Sequence, residues 1–549
     1  MKYCVKILSV LAVILLTNPG VLDRISLLYD DGRFLTIVIF MALWLLSIII
    51  LLLISFHPSA AVRFAWSLPL GLSAAAAFGY RYVQGSEFFV FDVLGLWGAR
   101  HEAGRAAEFY SSAVLPSLAV CALGIAAIAM PPGLRIKNPA CRQGISLAPL
   151  LPILLIAAVV LHREGKGSDA LPKQFSPLSL AALAAYKLNF QSAPSRENVR
   201  LKAGASSVDS IVMIVDESIR ADFVSLSPGN PFTPELAEER ARWIDFGPAV
   251  SAGNCSNISN ALLRFMARKE DVVGSAQTSP TIWQYAKAAG YRTVYIDAQA
   301  GFIKVYGKLQ NYMTAAETFW IDDLYKLDAG VATSRLDDEL IDIVLKELSS
   351  GDRVFIYANK NGAHFPYKDN APAEYRVDVP RQLPEGVRDR TLMPDYIRAV
   401  RWSTDRTMAR LSRQAPWKRT ALIYTSDHGQ NFAPGRLTHC NSHTNVDEQE
   451  GLVPLLVATD VASLKEKLGK VAKAFPDKAS HFAIAPALLE LMGYAKSDIV
   501  RRYGRYSLLD SLEAAPVFVS GDMFGLFGAT ASLHVSRPAL QRVRMAELK

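Results

Sequence analysis

The sequence predicts an N-terminal α-helical membrane domain of five transmembrane helices followed by a C-terminal α/β sandwich. Two observations carry this. Long apolar runs with almost no charge are confined to the part of the chain before about residue 165. Beyond about residue 207, short β-branched runs alternate with amphipathic segments. The chain of 549 residues, 51% hydrophobic with a mean hydropathy of +0.17, has room for both parts.

Five runs in the first part are long and apolar enough to span a bilayer: 4–22, 34–56, 64–82, 113–130 and 145–161. The second, "FLTIVIFMALWLLSIIILLLISF", carries no charge at all. Lys2 and Lys6 sit at the start of the first run, as in a signal peptide. "TNPG" follows instead of a small-residue cleavage site, so the run reads as an uncleaved helix.

Basic residues set the orientation. The connector "PPGLRIKNPACRQG" holds Arg135, Lys137 and Arg142 and no acid, and the N-terminus holds Lys2 and Lys6. The positive-inside rule places both in the cytoplasm, so everything after the fifth span faces the other side. The loop at 84–112 also faces outward, and its aromatics suit a helix resting at the interface. Residues 166–206 are polar and Pro-containing, and read as a linker that includes the short helix "LAALAAYKLNF". Residues 207–549 then form the exported domain.

Net charge is formally +8, but Lys and Arg are scattered among acids and no basic run interleaves with aromatics. This excludes a nucleic-acid partner and leaves weak attraction to anionic headgroups. Of five cysteines, Cys4, Cys121 and Cys141 fall in spans or on the cytoplasmic side. Cys255 and Cys440 are exported, which allows one disulfide in that domain.

Five runs of the exported part read as strands buried on both faces: 210–216, 292–298, 353–358, 419–427 and 452–459. "RLDDELIDIVLKELSS" between two of them is an amphipathic helix. Functional groups in such sheets gather beyond the carboxyl ends of the strands. Here those ends carry Asp216 and Glu217, then Asp427 and His428, with His364 shortly after a third strand. Carboxylates there are costly to bury unless they are paired or bind a cation. Carboxylates with imidazole suit Zn²⁺, and Mn²⁺ less well.

Each residue also has a plainer reading. Asp216 or Glu217 would serve as a helix N-cap, "SDHG" as an Asx turn, and His364 or His439 as ordinary loop histidines. The combination at neighbouring strand ends is what points to a site.

The order "VDESIRADF", "NCSNISN", "GAHFPY", "SDHGQNF", "THCNSH" and "VPLLV" resembles the alkaline phosphatase/sulfatase superfamily. Within it, five spans and an exported domain resemble the lipid A phosphoethanolamine transferases. The resemblance implies a metal centre, one or two Zn²⁺, with Glu217, Asp427 and His428 as ligands and the nucleophile as a fourth. His364 and His439 match the histidines that serve the donor phosphate or a second zinc. His439 is preferred to His443 on its spacing to the "VP" strand. Asp216 and His443 are the remaining ligand candidates.

The nucleophile's place is taken by "NCSNISN", where those transferases carry Thr. Cys255 and Ser256 are both candidates, Cys255 as nucleophile and metal ligand together. "CSNIS" lacks the Pro and Arg of the sulfatase cysteine signature, which argues against sulfatase chemistry. The resemblance implies transfer of phosphoethanolamine from a membrane phospholipid to lipid A or another envelope glycan, in a bacterial inner membrane with the catalytic domain in the periplasm. Phosphoglycerol transfer, ester hydrolysis and an inactive binding relative are the alternatives. The loop "FDVLGLWGARHEAGRAAE" keeps the family's opening "FD" but not its Asn and Thr positions, which leaves the donor open.

Overall fold

In the computed structural model the described residues are 2–98, 103–190, 195–299, 315–327, 330–434, 437–441, 446–521 and 532–535. The chain divides into two compact units, with the boundary between residues 192 and 193.

The first unit is helical because its apolar runs contain little that interrupts a helix. Phe34–Ser55 has no Gly, Pro or charge and forms one helix of 22 residues, about 33 Å long. Ala60–Gln84, Ser111–Ala129 and Pro139–His162 are likewise long and apolar enough to cross a membrane. A bent pair, Lys2–Thr17 and Val21–Asp30, meeting at 58°, makes a fifth span when the two helices are counted as one. The break falls at Asn18-Pro19-Gly20, where Pro withdraws a backbone donor. The expected five spans are these four helices and the bent pair. The 84–112 loop contains two short helices, Val90–Gly98 and Ala103–Phe109.

The expected linker at 166–206 is corrected. Ala170, Leu171, Phe175, Leu180 and Leu183 are buried in the first unit's core. Polar groups stitch the same stretch down: Trp44 Nε1 donates to Ala170 O at 3.0 Å, Ser73 Oγ to Lys173 O at 2.9 Å, and Lys173 N to Asn18 Oδ1 at 2.9 Å. Lys173 is paired with Glu87. A stretch that looks solvated in sequence is therefore packed, and the helix Ser176–Phe190 belongs to the first unit.

The second unit is built on a seven-stranded sheet: β1 (Ser210–Asp216), β2 (Trp243–Val250), β3 (Arg292–Asp297), β4 (Asp323–Lys326), β5 (Val354–Asn359), β6 (Thr420–Ser426) and β7 (Leu452–Ala458). The order is β2-β7-β6-β1-β5-β3-β4. β1 pairs in parallel with β5 and β6, and β7 runs antiparallel between β6 and β2. β8 (Val517–Ser520) and β9 (Ser532–Val535) form a separate antiparallel pair. All five expected strands are present. β2 and β4 were not expected, since Gly247 and Pro248 interrupt one and Asp and Lys end the other; both are edge strands.

Alternate residues of the central strands enter two cores. Ile211, Met213, Val215, Phe355 and Tyr357 face one, and Val212, Ile214, Ile356, Leu422 and Tyr424 the other. Helix Leu336–Ser349, expected from its pattern, buries Leu340, Ile341 and Val344 in the second core. On the first face, helix Ile282–Ala288 starts in a capping box of Thr281 and Gln284 and drives Trp283 against the sheet. Trp283 meets Tyr295, Phe355 and Tyr357 edge-on at 5.6–5.8 Å.

Trp283→Ala should therefore cost about 3–5 kcal/mol. The expected readout is a thermal transition several degrees lower in the detergent-solubilised chain. An unchanged midpoint would contradict this packing.

Candidate active site

The site follows from the register of β1 and β6. Asp216 lies opposite Ser426, so the next residues, Glu217 and Asp427, leave the sheet side by side. Ser218 then turns the chain with φ +63°, a left-handed conformation uncommon for a residue with a side chain. Its N–H donates to Asp427 Oδ1 at 3.0 Å and its hydroxyl to Glu217 Oε1 at 2.7 Å, so one strained residue fixes both carboxylates. His428 N–H donates to Asp427 Oδ1 at 2.7 Å. Its Nδ1 faces Gly429 O at 2.8 Å, which leaves Nε2 as the acceptor or ligand nitrogen. Nε2 lies 3.3 Å from Glu217 Oε1 and 3.7 Å from Asp427 Oδ2.

Glu217, Asp427 and His428 are all buried, and their ligand atoms lie within 4.8 Å of one another. Burial opposes ionisation of Glu217, but the His428 hydrogen bond and charge hold its carboxyl well below the usual range. Burial and the Glu217 charge push Asp427 up to about 8. Burial disfavours the His428 cation, yet the Asp427 and Glu217 charges raise it to about 9. The three groups thus share protons in a dry site, Glu217 ionised while Asp427 and His428 hold theirs more tightly than usual. Asp427 Oδ2 is buried and has no hydrogen-bond partner among the described residues. Two carboxylates, one with an orphaned oxygen, and an imidazole nitrogen fit a divalent cation of the Zn²⁺ kind.

Ser256 completes the group. It is the first residue of helix Ser256–Arg264, where the helix dipole favours negative charge. Its Oγ is 3.1 and 3.3 Å from the Glu217 oxygens and 3.2 Å from His428 Nε2. Gln299, after β3, donates to Glu217 Oε2 at 3.0 Å and to Lys360 O at 2.7 Å. The two predicted histidines lie alongside. His439 stacks on His428, ring centroids 4.4 Å apart, and Phe365 bridges His364 and His439 with ring contacts of 5.5 and 6.2 Å. His364 Nδ1 faces Phe365 O at 2.7 Å, and its charge acts on Glu217.

Two expectations are corrected. Cys255 is bonded to Cys440, so it offers no thiolate as nucleophile or ligand. Asp216 takes no part in the cluster of Glu217, Asp427 and His428: its Oδ2 accepts from Lys360 Nζ (2.7 Å), Thr404 Oγ1 (2.8 Å) and Tyr424 OH (2.9 Å). Its other oxygen accepts from Glu217 N at 3.1 Å, so all its capacity is used in holding the turn. His443 lies outside the described residues.

Lys360 is the main element that sequence reading missed. Fully buried, it donates to Asp216 and to Ser403 O, and lies 3.7 Å from Asp337. Asp337 in turn accepts from the Asn361 and Gly362 amides, fixing the loop that carries His364. Gly362 is required there: a Cβ would meet Asp216 Oδ1 at 2.3 Å and Glu217 O at 2.6 Å. A lysine directly after an apolar strand was the available signal. Gln299 and Glu450, also missed, carry no local signal.

The family model described as Sulfatase matches residues 209–494, just over half of the chain, and the chain belongs to that family. The structure is similar to the integral membrane lipooligosaccharide phosphoethanolamine transferase A from Neisseria meningitidis, with TM-score 0.57 and 16% identity over 84% of this chain and 90% of that one. It is also similar to the C-terminal periplasmic domain of EcEptC from Escherichia coli in complex with Zn, with TM-score 0.48 and 17% identity over 64% of this chain and 99% of that one. No curated protein sequence matches the chain.

The charge states make metal uptake pH-dependent. Below the raised values of His428, about 9, and Asp427, about 8, a divalent ion has to displace their protons. Titration of the metal-free chain with Zn²⁺ should show affinity falling as pH drops below 8, by roughly tenfold per unit for each displaced proton. Affinity that is flat with pH would contradict these assignments.

Proposed function

We propose that this chain is a metal-dependent membrane transferase that moves phosphoethanolamine from a phospholipid to lipid A or another envelope glycan, through a covalent intermediate on Ser256. The observation that carries the reading is the half-buried Ser256 hydroxyl within 3.3 Å of Glu217 and His428, at the first residue of its helix. Family membership and the fold shared with a membrane phosphoethanolamine transferase support it.

Glu217, Asp427 and His428 would hold Zn²⁺, or Mn²⁺ in its place, with Ser256 adjoining. The chemistry such an ion supplies is a lowered hydroxyl pKa and neutralised phosphoryl charge. In the first step Ser256 Oγ bonds to phosphorus as the bond from phosphorus to the diacylglycerol oxygen breaks. The serine proton reaches that departing oxygen by way of His364 or His439. In the second step an acceptor hydroxyl attacks the phosphorus, the Oγ–P bond breaks, and the acceptor's proton returns to Ser256 along the same histidines. Glu217, Asp427 and His428 are at most 1% exposed, which keeps water from competing.

The apolar helices of the first unit keep both lipids in the same membrane as the enzyme. The bacterial inner membrane, with the second unit in the periplasm, is the home this reading assigns.

The test incubates the Zn²⁺-loaded full-length chain with labelled phosphatidylethanolamine and weighs the intact protein. A phosphoethanolamine adduct is expected in the wild type and in Cys255→Ala. Ser256→Ala should lose the adduct and reduce transfer roughly 10³-fold or more. An adduct that survives in Ser256→Ala would overturn the assignment. An adduct formed only from phosphatidylglycerol would assign phosphoglycerol transfer, and headgroup released to water without an acceptor would assign a hydrolase.

A further inference from the structure

Two short segments far apart in sequence are tied together at the edge of the site. The Cys255–Cys440 disulfide spans 185 residues and brings the two Cα atoms to 4.6 Å. Hydrogen bonds run parallel to it. Cys440 N–H donates to Asn254 O at 2.8 Å. Asn254 Nδ2 donates to Asn441 O and to Glu450 Oε2, each at 2.8 Å, and Asn441 Nδ2 donates to Glu450 Oε1. Glu450 is fully buried at the entry to β7, so the clamp is anchored in the sheet.

Every tie borders a residue of the site. Cys255 immediately precedes Ser256 at the N-cap position of its helix; Cys440 immediately follows His439. The described residues 437–441 belong to no helix or strand; besides the clamp, Asn431 N–H donates to Thr438 O at 2.6 Å and the Thr438 hydroxyl lies 3.0 Å from His439 Nδ1. Cys440 has φ +60°, a conformation that side-chain-bearing residues rarely adopt unless their surroundings impose it. What is imposed is the stacking of the His439 ring on His428, 19° from parallel.

We propose that the Cys255–Cys440 disulfide and the Asn254–Glu450–Asn441 clamp form one positioning device, which sets His439 over His428 beside Ser256, and that efficient turnover requires the disulfide closed. This rests on the reading of Ser256 as nucleophile. Cys255, Cys440, Asn254, Asn441 and Glu450 are positioning residues; the reacting atoms meet Ser256 and the histidines. The cysteine in the family's nucleophile region thus acts by holding its neighbour and the histidine loop in register.

The test compares three forms of the full-length, Zn²⁺-loaded chain in detergent. They are the wild type, the Cys255→Ala/Cys440→Ala double variant, and wild type reduced by a phosphine, alkylated and reloaded with Zn²⁺. In the reduction the disulfide becomes two thiols while the phosphine and water give the phosphine oxide. Three readouts are taken: amide hydrogen exchange in residues 437–441, bound zinc, and kcat and KM with labelled phosphatidylethanolamine. Opening the bond should raise exchange in 437–441 about tenfold or more and lower kcat roughly 10–100-fold, with KM and bound zinc retained. The reduced folded form covers the case in which the double variant fails to fold. Unchanged exchange, an unchanged kcat, or zinc lost in step with activity would overturn the proposal. If the wild type shows no turnover, the nucleophile reading fails instead, and the exchange comparison alone decides whether the device holds the loop.

Discussion

The structure of the second unit is organised around two carboxylates that the sheet register forces together. Because Asp216 and Ser426 are paired, Glu217 and Asp427 emerge as neighbours in a buried site, and their mutual repulsion has to be answered locally. Part of the answer comes from their neighbours: Ser218 donates to both, and His428 lies within 3.7 Å of both. The orphaned Asp427 oxygen is what remains, and it is the feature that most favours a cation.

The layer beneath explains how so costly a cluster keeps its shape. Asp216 is next to Glu217 but serves a different purpose, binding Lys360, Thr404 and Tyr424 on the far side of the turn. Lys360 links that turn to Asp337, and Asp337 fixes the amides before His364. Removing one partner from such a buried ion group leaves an uncompensated charge, so the network is rigid as a whole. The same economy of contacts joins the helix of Ser256 to the loop of His439 through Cys255, Cys440 and Glu450.

How much of this was legible in the sequence depends on how local each signal is. The spans, the five inner strands and the helix Leu336–Ser349 are written in hydrophobic period, and they stand as read. Glu217, Asp427 and His428 were legible because charge at the end of an apolar strand is conspicuous, and they do converge. β2 and β4 were not, since edge strands tolerate Gly, Pro and charge. The stretch at 166–190 looked like a tether because its burial comes from partners such as Asn18, Trp44 and Ser73, more than 95 residues away. Cys255 and Ser256 were both candidates in the sequence; a partner 185 residues on ties up the Cys255 thiol.

The central claim is that an oxygen of Ser256, and no sulfur, adjoins a metal held by Glu217, Asp427 and His428. X-ray absorption at the zinc edge of the loaded full-length chain tests it directly. The account predicts a first shell of nitrogen and oxygen alone, at about 2.0–2.2 Å. A sulfur scatterer at about 2.3 Å would place the Cys255 thiolate on the metal and contradict it.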